Sequence, residues 1–123
     1  MSYKRGDVVI VAFPFLMTGG QTTKKARPAL VISDMTLNRR YEDLILASIT
    51  SQIPQVLKET EMVIEASPQN SLVKNSTVRL EFLMTIPIEL VSRKIGNLTS
   101  KQMARIDLKL IKSLGLYHHR PVS

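Results

Sequence analysis

Residues 8–13 read VVIVAF, an unbroken apolar run in which four of the six side chains are β-branched. Gly6 and Asp7 precede the run and Pro14 follows it, so residues that favour turns bound it on both sides. A continuous run of this length is typical of a strand with two buried faces, whereas a helix would need a longer segment. The run therefore predicts a strand inside a sheet, and the rest of the chain must cover both of its faces.

Five further segments have the composition of strands. Residues 29–32 and 44–49 are continuous apolar runs like the first, while 61–65 and 76–83 alternate apolar with polar residues. Residues 90–95 form a weaker candidate. Several short strands separated by turns are typical of a small curled β-barrel or half-barrel.

The alternation in residues 76–83 is regular enough to assign the two faces of that strand. It predicts that Val78, Leu80 and Phe82 point into the core. Arg79 and Glu81 would then project together on the other side of the strand.

One segment near the C-terminus has the pattern of a helix. Thr99 can cap it with Gln102 as the reciprocal partner, and Gly115 can end it. Apolar residues recur at helical spacing between these ends, namely Met103, Ile106, Leu110 and Leu114. We therefore expect a mainly β fold with a C-terminal helix (α+β), in which the helix covers a small curled barrel.

Two segments have no periodic pattern. Residues 14–25 and 51–60 each follow a predicted strand, and irregular connections of this length inside a domain are usually functional or mobile. Gly19 and Gly20 would supply a hinge in the first of them. Because both segments leave from strand ends that could lie side by side, we expect a groove between them.

The chain is strongly basic. Its 17 Lys and Arg residues outnumber 10 Asp and Glu residues, which gives a net charge of +7 and a pI of about 10.0. Such a molecule attracts polyanions, and nucleic acid is the first candidate partner. Charge alone does not decide, since many small basic proteins bind nothing anionic.

Several kinds of site and location are not expected. The chain has no cysteine and no spaced pair of histidines, so we expect neither a metal site nor a cofactor. His118 and His119 are adjacent in the final residues, where histidines are usually solvated. The N-terminus lacks the apolar core of a signal peptide, and no apolar run is long enough to cross a membrane. We therefore expect a cytoplasmic protein without membrane contact.

Six strings follow one another along the chain: RGDVVIVAFPF at 5–15, RPALVIS at 27–33, LILASITSQ at 44–52, STVRLE at 76–81, KIGNLTSKQM at 94–103 and SLGL at 113–116. In this order and spacing they resemble the MazF/PemK family of toxin endoribonucleases from bacterial toxin–antitoxin pairs. Each string alone is weakly specific, but six in order with compatible spacing make an accidental match improbable.

The resemblance implies a fold and a set of partners. The fold would be an SH3-like small β-barrel of the CcdB/MazF type, with residues 1–116 as a single domain and 117–123 as a tail. The protein would be a homodimer that cleaves single-stranded RNA without a metal ion and thereby inhibits translation and growth. A cognate acidic antitoxin would hold it inactive, and it would meet DNA only indirectly, through that antitoxin.

The resemblance also implies two catalytic residues, Arg27 and Thr50. Metal-free cleavage most simply uses the ribose 2′-hydroxyl as nucleophile and yields a 2′,3′-cyclic phosphate and a 5′-hydroxyl. The enzyme must then accept a proton, stabilise charge on the phosphorane and protonate the leaving oxygen. Arg27 would stand at the start of a buried strand and fork onto two phosphate oxygens. Thr50 ends a strand, and its hydroxyl could bond the attacked phosphate.

Seven further residues are candidates for RNA contacts. Five of them have a plainer alternative: the lysines could be solvated, Arg79 and Glu81 could form a surface ion pair, and Phe15 could be a core aromatic. Glu81 stands where relatives more often have Asp, and residues 82–84 depart from the family pattern, so the preferred RNA sequence is not predicted. The seven candidates are Phe15, Lys24, Lys25, Ser51, Gln52, Arg79 and Glu81.

Two other functions remain open from the sequence. A barrel of this type could bind RNA or DNA without cleaving it, using the same basic groove. A poison of DNA gyrase resembling the CcdB family is less favoured, because that family's site involves a C-terminal tryptophan and this chain has none.

Overall fold

The computed structural model describes residues 2–16 and 22–117, and it describes the side chains of residues 2–12 and 25–117. Within these ranges the chain forms six strands, a short 3-10 helix at Ile88–Leu90 and one α-helix. The strands are β1 (Asp7–Leu16), β2 (Thr22–Val31), β3 (Asp43–Thr50), β4 (Glu61–Ile64), β5 (Ser76–Pro87) and β6 (Val91–Asn97), and the α-helix is α1 (Ser100–Leu114). The strands form one antiparallel sheet in the order β4-β5-β3-β2-β1-β6.

The sheet buries apolar side chains on both faces, as the continuous run in β1 predicts. Successive residues of a strand point to opposite faces, so Val8 and Val9 belong to different cores. The face covered by α1, here called the helix face, has a core of Val8, Leu30, Ala47, Ile49, Met62, Ile64, Leu72, Val78, Leu80, Leu98 and Ile106. The core of the opposite face consists of Tyr3, Val9, Val11, Ala29, Val31, Leu44, Leu46, Ile86 and Val91.

Helix α1 begins and ends as the sequence predicts. The Thr99 hydroxyl accepts a hydrogen bond from Gln102 N–H at 3.0 Å, and the Gln102 side chain accepts one from Thr99 N–H at 2.8 Å. Gly115 adopts the left-handed conformation with φ of 66°, which ends the helix. Among the described residues, no helix combines the length and apolar character needed to cross a bilayer.

The prediction of an irregular segment at residues 14–25 is wrong over most of its length. β1 extends to Leu16 and β2 begins at Thr22, and the two strands pair up to those residues. β6 pairs with β1 only as far as Val11, so Pro14 has one neighbouring strand and its missing N–H is tolerated. The proposed hinge at Gly19 and Gly20 lies outside the described residues. Residues 51–60 contain no strand, as predicted.

The predicted position of Phe82 in the core is also wrong. Ser48 of β3 pairs with Arg79, but the adjacent Ala47 pairs with Leu83, so β5 carries three extra residues at this point. Because three is an odd number, the alternation of faces reverses beyond the bulge. Phe82 therefore turns away from the face that holds Leu80, and 37% of its surface is exposed.

A buried asparagine fixes the turn that precedes β5. Asn70 is 1% exposed, and its side-chain oxygen accepts hydrogen bonds from the N–H groups of Ser67 and Leu72, each at 3.0 Å. Its amide nitrogen donates to the Glu65 carbonyl at 2.9 Å. These bonds hold residues 65–72 in one conformation against the sheet.

The same turn packs on the backbone of β6. A Cβ atom at Gly96 would lie 2.3 Å from the Gln69 carbonyl oxygen, a distance that no side chain tolerates. The adjacent Asn97 N–H donates to that carbonyl at 3.0 Å. Glycine at position 96 therefore allows the turn and the strand to approach closely.

Candidate active site

The register of β2 and β3 brings Arg27 and Thr50 together. Arg27 lies within β2, opposite Val11 of β1, so the prediction that it starts a strand is wrong. The pairing of β2 with β3 ends at Ala29 opposite Ser48, so Arg27 and Thr50 each lie two residues beyond the last paired residues. Residues two apart along a strand point to the same face, so Arg27 and Thr50 project on the side of Ala29 and Ser48.

A cavity of about 160 Å³, here called the cleft, lies where these two residues meet on the face opposite α1. Arg27 and Thr50 are both partly buried there. The polar groups lie beside an apolar wall, so the cleft combines a fixed cation with side chains that exclude water. Its lining residues are Arg27, Ser48, Ile49, Thr50, Arg79, Phe82 and Met84.

The hydroxyl of Thr50 is oriented by the turn after β3. Its oxygen accepts a hydrogen bond from Gln52 N–H at 3.2 Å, and the Gln52 carbonyl accepts one from the Thr77 hydroxyl at 3.0 Å. A hydroxyl whose oxygen accepts from the backbone can still donate its own proton. Thr50 can therefore donate a hydrogen bond to an anion in the cleft.

Arg79 reaches the cleft from β5. Its guanidinium carbon lies 5.1 Å from the centre of the Phe82 ring, within the range of a cation–π contact. Its Nη2 atom lies 3.9 Å from a carboxylate oxygen of Glu81. Glu81 is exposed and does not line the cleft. This ion pair therefore connects Arg79, which lines the cleft, to a carboxylate outside it.

A second cavity of about 480 Å³, here called the adjoining pocket, lies beyond Arg27 toward the helix face. Arg27 and Ile49 line both cavities. The charged residues that line the adjoining pocket are all cations, so an anionic chain in the cleft could continue into it. It is lined by Ile10, Lys25, Ala26, Arg27, Pro28, Ile49, Ser51, Ser71, Leu72, Val73, Lys74, Ser76 and Ile95.

The predicted site residues divide into four groups. Arg27, Thr50 and Arg79 line the cleft, while Lys25 and Ser51 line the adjoining pocket with Arg27. Gln52 and Glu81 line neither cavity; the backbone of Gln52 holds Thr50, and Glu81 pairs with Arg79. The backbones of Phe15 and Lys24 pair with Thr23 and Pro14, but their side chains lie outside the described ones. His118 and His119 lie outside the described residues.

Sequence reasoning missed Ser48, Phe82 and Met84 in the cleft and Lys74 in the adjoining pocket. Ser48 had a detectable signal, because it is a polar residue inside the apolar run LILASI. Phe82 and Met84 had none, since the bulge that turns them into the cleft leaves no pattern in the sequence. Among the described residues, no three His, Cys, Asp or Glu side chains form a group that could hold a metal ion.

Comparison with known protein families gives one match that spans most of the chain. Residues 4–114 match a family described as the PemK-like, MazF-like toxin of type II toxin–antitoxin systems. The chain is 32% identical to Endoribonuclease EndoA of Bacillus subtilis over 116 residues, which cover 94% of this chain and 97% of the relative. It is 29% identical to Endoribonuclease MazF of Staphylococcus saprophyticus over 114 residues, covering 93% and 92% respectively.

Solved structures share the fold. An endoribonuclease in complex with its cognate antitoxin, from a mycobacterial species, superposes with a TM-score of 0.71 at 20% identity and covers 96% of this chain and 100% of its own. A MazE–MazF structure from Deinococcus radiodurans gives 0.69 at 21% identity, covering 94% and 97%. These likenesses confirm the predicted architecture of a mainly antiparallel sheet with a C-terminal helix.

Proposed function

Because the chain belongs to the PemK-like, MazF-like toxins of type II toxin–antitoxin systems, we propose that it is an endoribonuclease that cleaves single-stranded RNA. Both relatives compared above bear the name endoribonuclease. Cleavage of messenger RNA would stop translation and growth, which is how such a nuclease acts as a toxin. The family match also makes an antitoxin the natural inhibitor of the chain.

The observation that carries the proposal is that Arg27 and Thr50 line one cleft from adjacent strands. A planar guanidinium can bind two oxygens of one phosphate, and β2 fixes the backbone from which Arg27 projects. The Thr50 hydroxyl can donate a hydrogen bond to the same phosphate. Two donors on rigid strands form a site that is organised before the substrate binds.

These residues suit attack by the ribose 2′-hydroxyl on the adjacent phosphorus. The new bond forms as the 5′-oxygen leaves, and the products are a 2′,3′-cyclic phosphate and a 5′-hydroxyl. Negative charge accumulates on the phosphorane oxygens during this step, and Arg27 and Thr50 would stabilise it. Arg79 would add a second cation in the cleft.

The substrate must be single-stranded for a geometric reason. An A-form helix does not present the 2′-hydroxyl in line with the leaving oxygen, so the strand must be splayed along the protein surface. Lys25 and Lys74 of the adjoining pocket would hold phosphates that flank the cleaved one. The hydroxyl of Ser51 would contact the same part of the strand.

Partners and location follow from this activity. The antitoxin would be acidic, because it must cover a surface with a net charge of +7, and DNA would be met only through it. We also propose a homodimer, since α1 exposes the large apolar side chains of Leu108, Ile111 and Leu114. Residues 1–116 would form the single domain, and the protein would act in the cytoplasm, where messenger RNA is translated.

The proposal is tested with purified protein and single-stranded RNA in EDTA, with chemical analysis of the ends formed. We expect cyclic phosphate and 5′-hydroxyl ends. Arg27→Ala should lower the rate of cleavage about 100-fold or more, as the loss of one donor to a charged transition state does. Arg27→Lys should retain little activity, because an ammonium does not fork onto two oxygens.

The control is Arg40→Ala, which removes an exposed arginine that lines neither cavity. It should cleave at the unmodified rate, and all variants should unfold at similar temperatures. RNA binding without cleavage by the unmodified protein would favour a non-catalytic binder. DNA breaks that depend on gyrase would favour a gyrase poison instead.

A further inference from the structure

We propose that Phe82 is a stacking platform for a nucleobase next to the cleaved phosphate, an inference that rests on the proposed function. The proposal names the group that the cleft recognises besides phosphate, namely the flat face of a base.

The position of Phe82 is the first support. The bulge in β5 turns this ring away from the core and into the cleft, where it lies with Arg27 and Thr50. Its exposed fraction is 37%, so part of the ring is available to a ligand. A base attached to a phosphate between Arg27 and Thr50 would therefore lie within reach of the ring.

The contact between Phe82 and Arg79 is the second support. The guanidinium carbon of Arg79 lies 5.1 Å from the ring centre, within the range of a cation–π contact. The same cation can meet the phosphate that follows the stacked base. An aromatic ring beside a cation is the combination by which proteins bind single-stranded nucleic acid.

The charge of the cleft favours an anionic occupant over an apolar protein surface. Both charged residues that line it, Arg27 and Arg79, are cations, and Ser48 and Thr50 add hydroxyl groups. An apolar surface offers no opposite charge to these two cations. A nucleotide satisfies the cations with phosphate and the ring with its base.

The sequence makes a direct test possible, because the chain contains no tryptophan. Phe82→Trp therefore creates a protein with one indole, located in the cleft. The probe is an RNA whose sequence is taken from the cleavage assay and whose cleaved nucleotide carries a 2′-O-methyl group. This substitution blocks attack by the 2′-oxygen but keeps the bases and phosphates.

We expect tryptophan emission of this variant to fall about twofold when the probe saturates the protein, because a stacked base contacts the indole directly. The control is Tyr41→Trp, whose side chain is 71% exposed in the unmodified protein. Tyr41 lies seven residues before Ser48, the first residue of β3 that lines the cleft, so about 20 Å of chain separate the control from the cleft. Emission of the control should not change on binding.

Two further variants test the role without a fluorescent group. Phe82→Leu should raise the Kd for the probe about tenfold, because an aliphatic side chain cannot stack on a base. Phe82→Tyr should bind as tightly as the unmodified protein. If Phe82 only supported the fold, the leucine and tyrosine variants would bind the probe equally well, provided that both unfold at the same temperature as the unmodified protein.

The outcomes separate this inference from the function on which it rests. Cleavage by the unmodified protein together with unquenched Phe82→Trp, or with an unchanged Kd of Phe82→Leu, would overturn the stacking role alone. Indole emission that is already blue-shifted without RNA and insensitive to the probe would assign Phe82 to a contact between copies of the chain, which also overturns it. Absence of cleavage by the unmodified protein would instead refute the proposed function.

Discussion

The position of Arg27 inside a strand suits it to bind a phosphate. Val11 lies opposite it on β1, and Thr50 of the neighbouring strand β3 lines the same cleft. A guanidinium on a loop would lose more conformational entropy on binding phosphate than one whose backbone is held by pairing with β1. The strand thus supplies the rigidity that a transition-state contact requires.

Two variants of Thr50 test whether its hydroxyl group takes part in cleavage. Thr50→Val replaces the hydroxyl by a methyl group of similar size, and Thr50→Ser keeps the hydroxyl. We expect the valine variant to lose about 100-fold in kcat, since one donor to the phosphorane is missing, and the serine variant to remain within about tenfold. Single-turnover cleavage measures both. Equal rates for valine and serine would mean that the hydroxyl takes no part.

The sequence predicts the positions of some residues correctly and those of others wrongly. Arg27 and Thr50 were identified through the resemblance to a family, and the structure brings them into one cleft. Composition could not have selected them among 17 basic residues and the other hydroxyl groups. Phe82 was assigned to the wrong face, because alternation holds only while the pairing register is unbroken.

The type of each secondary-structure element is easier to predict from the sequence than its length. All six strands and α1 exist near the predicted positions, because apolar runs and caps are local signals. β1 and β2 are longer than predicted because each is extended by pairing with the other, through residues such as Pro14 and Lys24 that do not favour strands alone. Pairing is a tertiary effect that a local pattern does not contain.

Gly96 and Gly115 allow the cost of crowding to be compared with the cost of backbone strain. Gly96→Ala adds a methyl 2.3 Å from the Gln69 carbonyl, so either the turn or β6 must shift. We expect it to lower the free energy of unfolding by about 3 kcal/mol or more, the upper range for overpacking.

Gly115→Ala differs, because φ is +66° there and no atom lies within 4 Å of the added methyl. Its expected cost is only about 1 kcal/mol, that of placing alanine in the left-handed region. Urea denaturation measures both values. Similar values for the two variants would contradict the close packing of the turn on β6.

The whole molecule is a polycation, and this property has a measurable signature. Binding of single-stranded RNA should weaken as salt rises, with a slope of log K against log salt of about −0.7 for each phosphate contact. Lys25→Ala should reduce the magnitude of that slope by about 0.7 if the lysine contacts a phosphate. Titrations of a labelled RNA at several salt concentrations provide the slopes.

The control for this measurement is Lys101→Ala. Lys101 is exposed on α1 and lines neither cavity, so its loss removes the same charge from the molecule without removing a contact. Its slope should match that of the unmodified protein. If both variants changed the slope equally, the effect would come from net charge and not from a contact at position 25.

Arg27 and Ile49 form a common wall between the cleft and the adjoining pocket. A side chain that serves two cavities cannot be adjusted for one of them alone. Reshaping the pocket to admit another nucleotide would move the guanidinium that we propose meets the breaking bond, so the choice of RNA sequence and the speed of cutting would have to evolve together in this toxin.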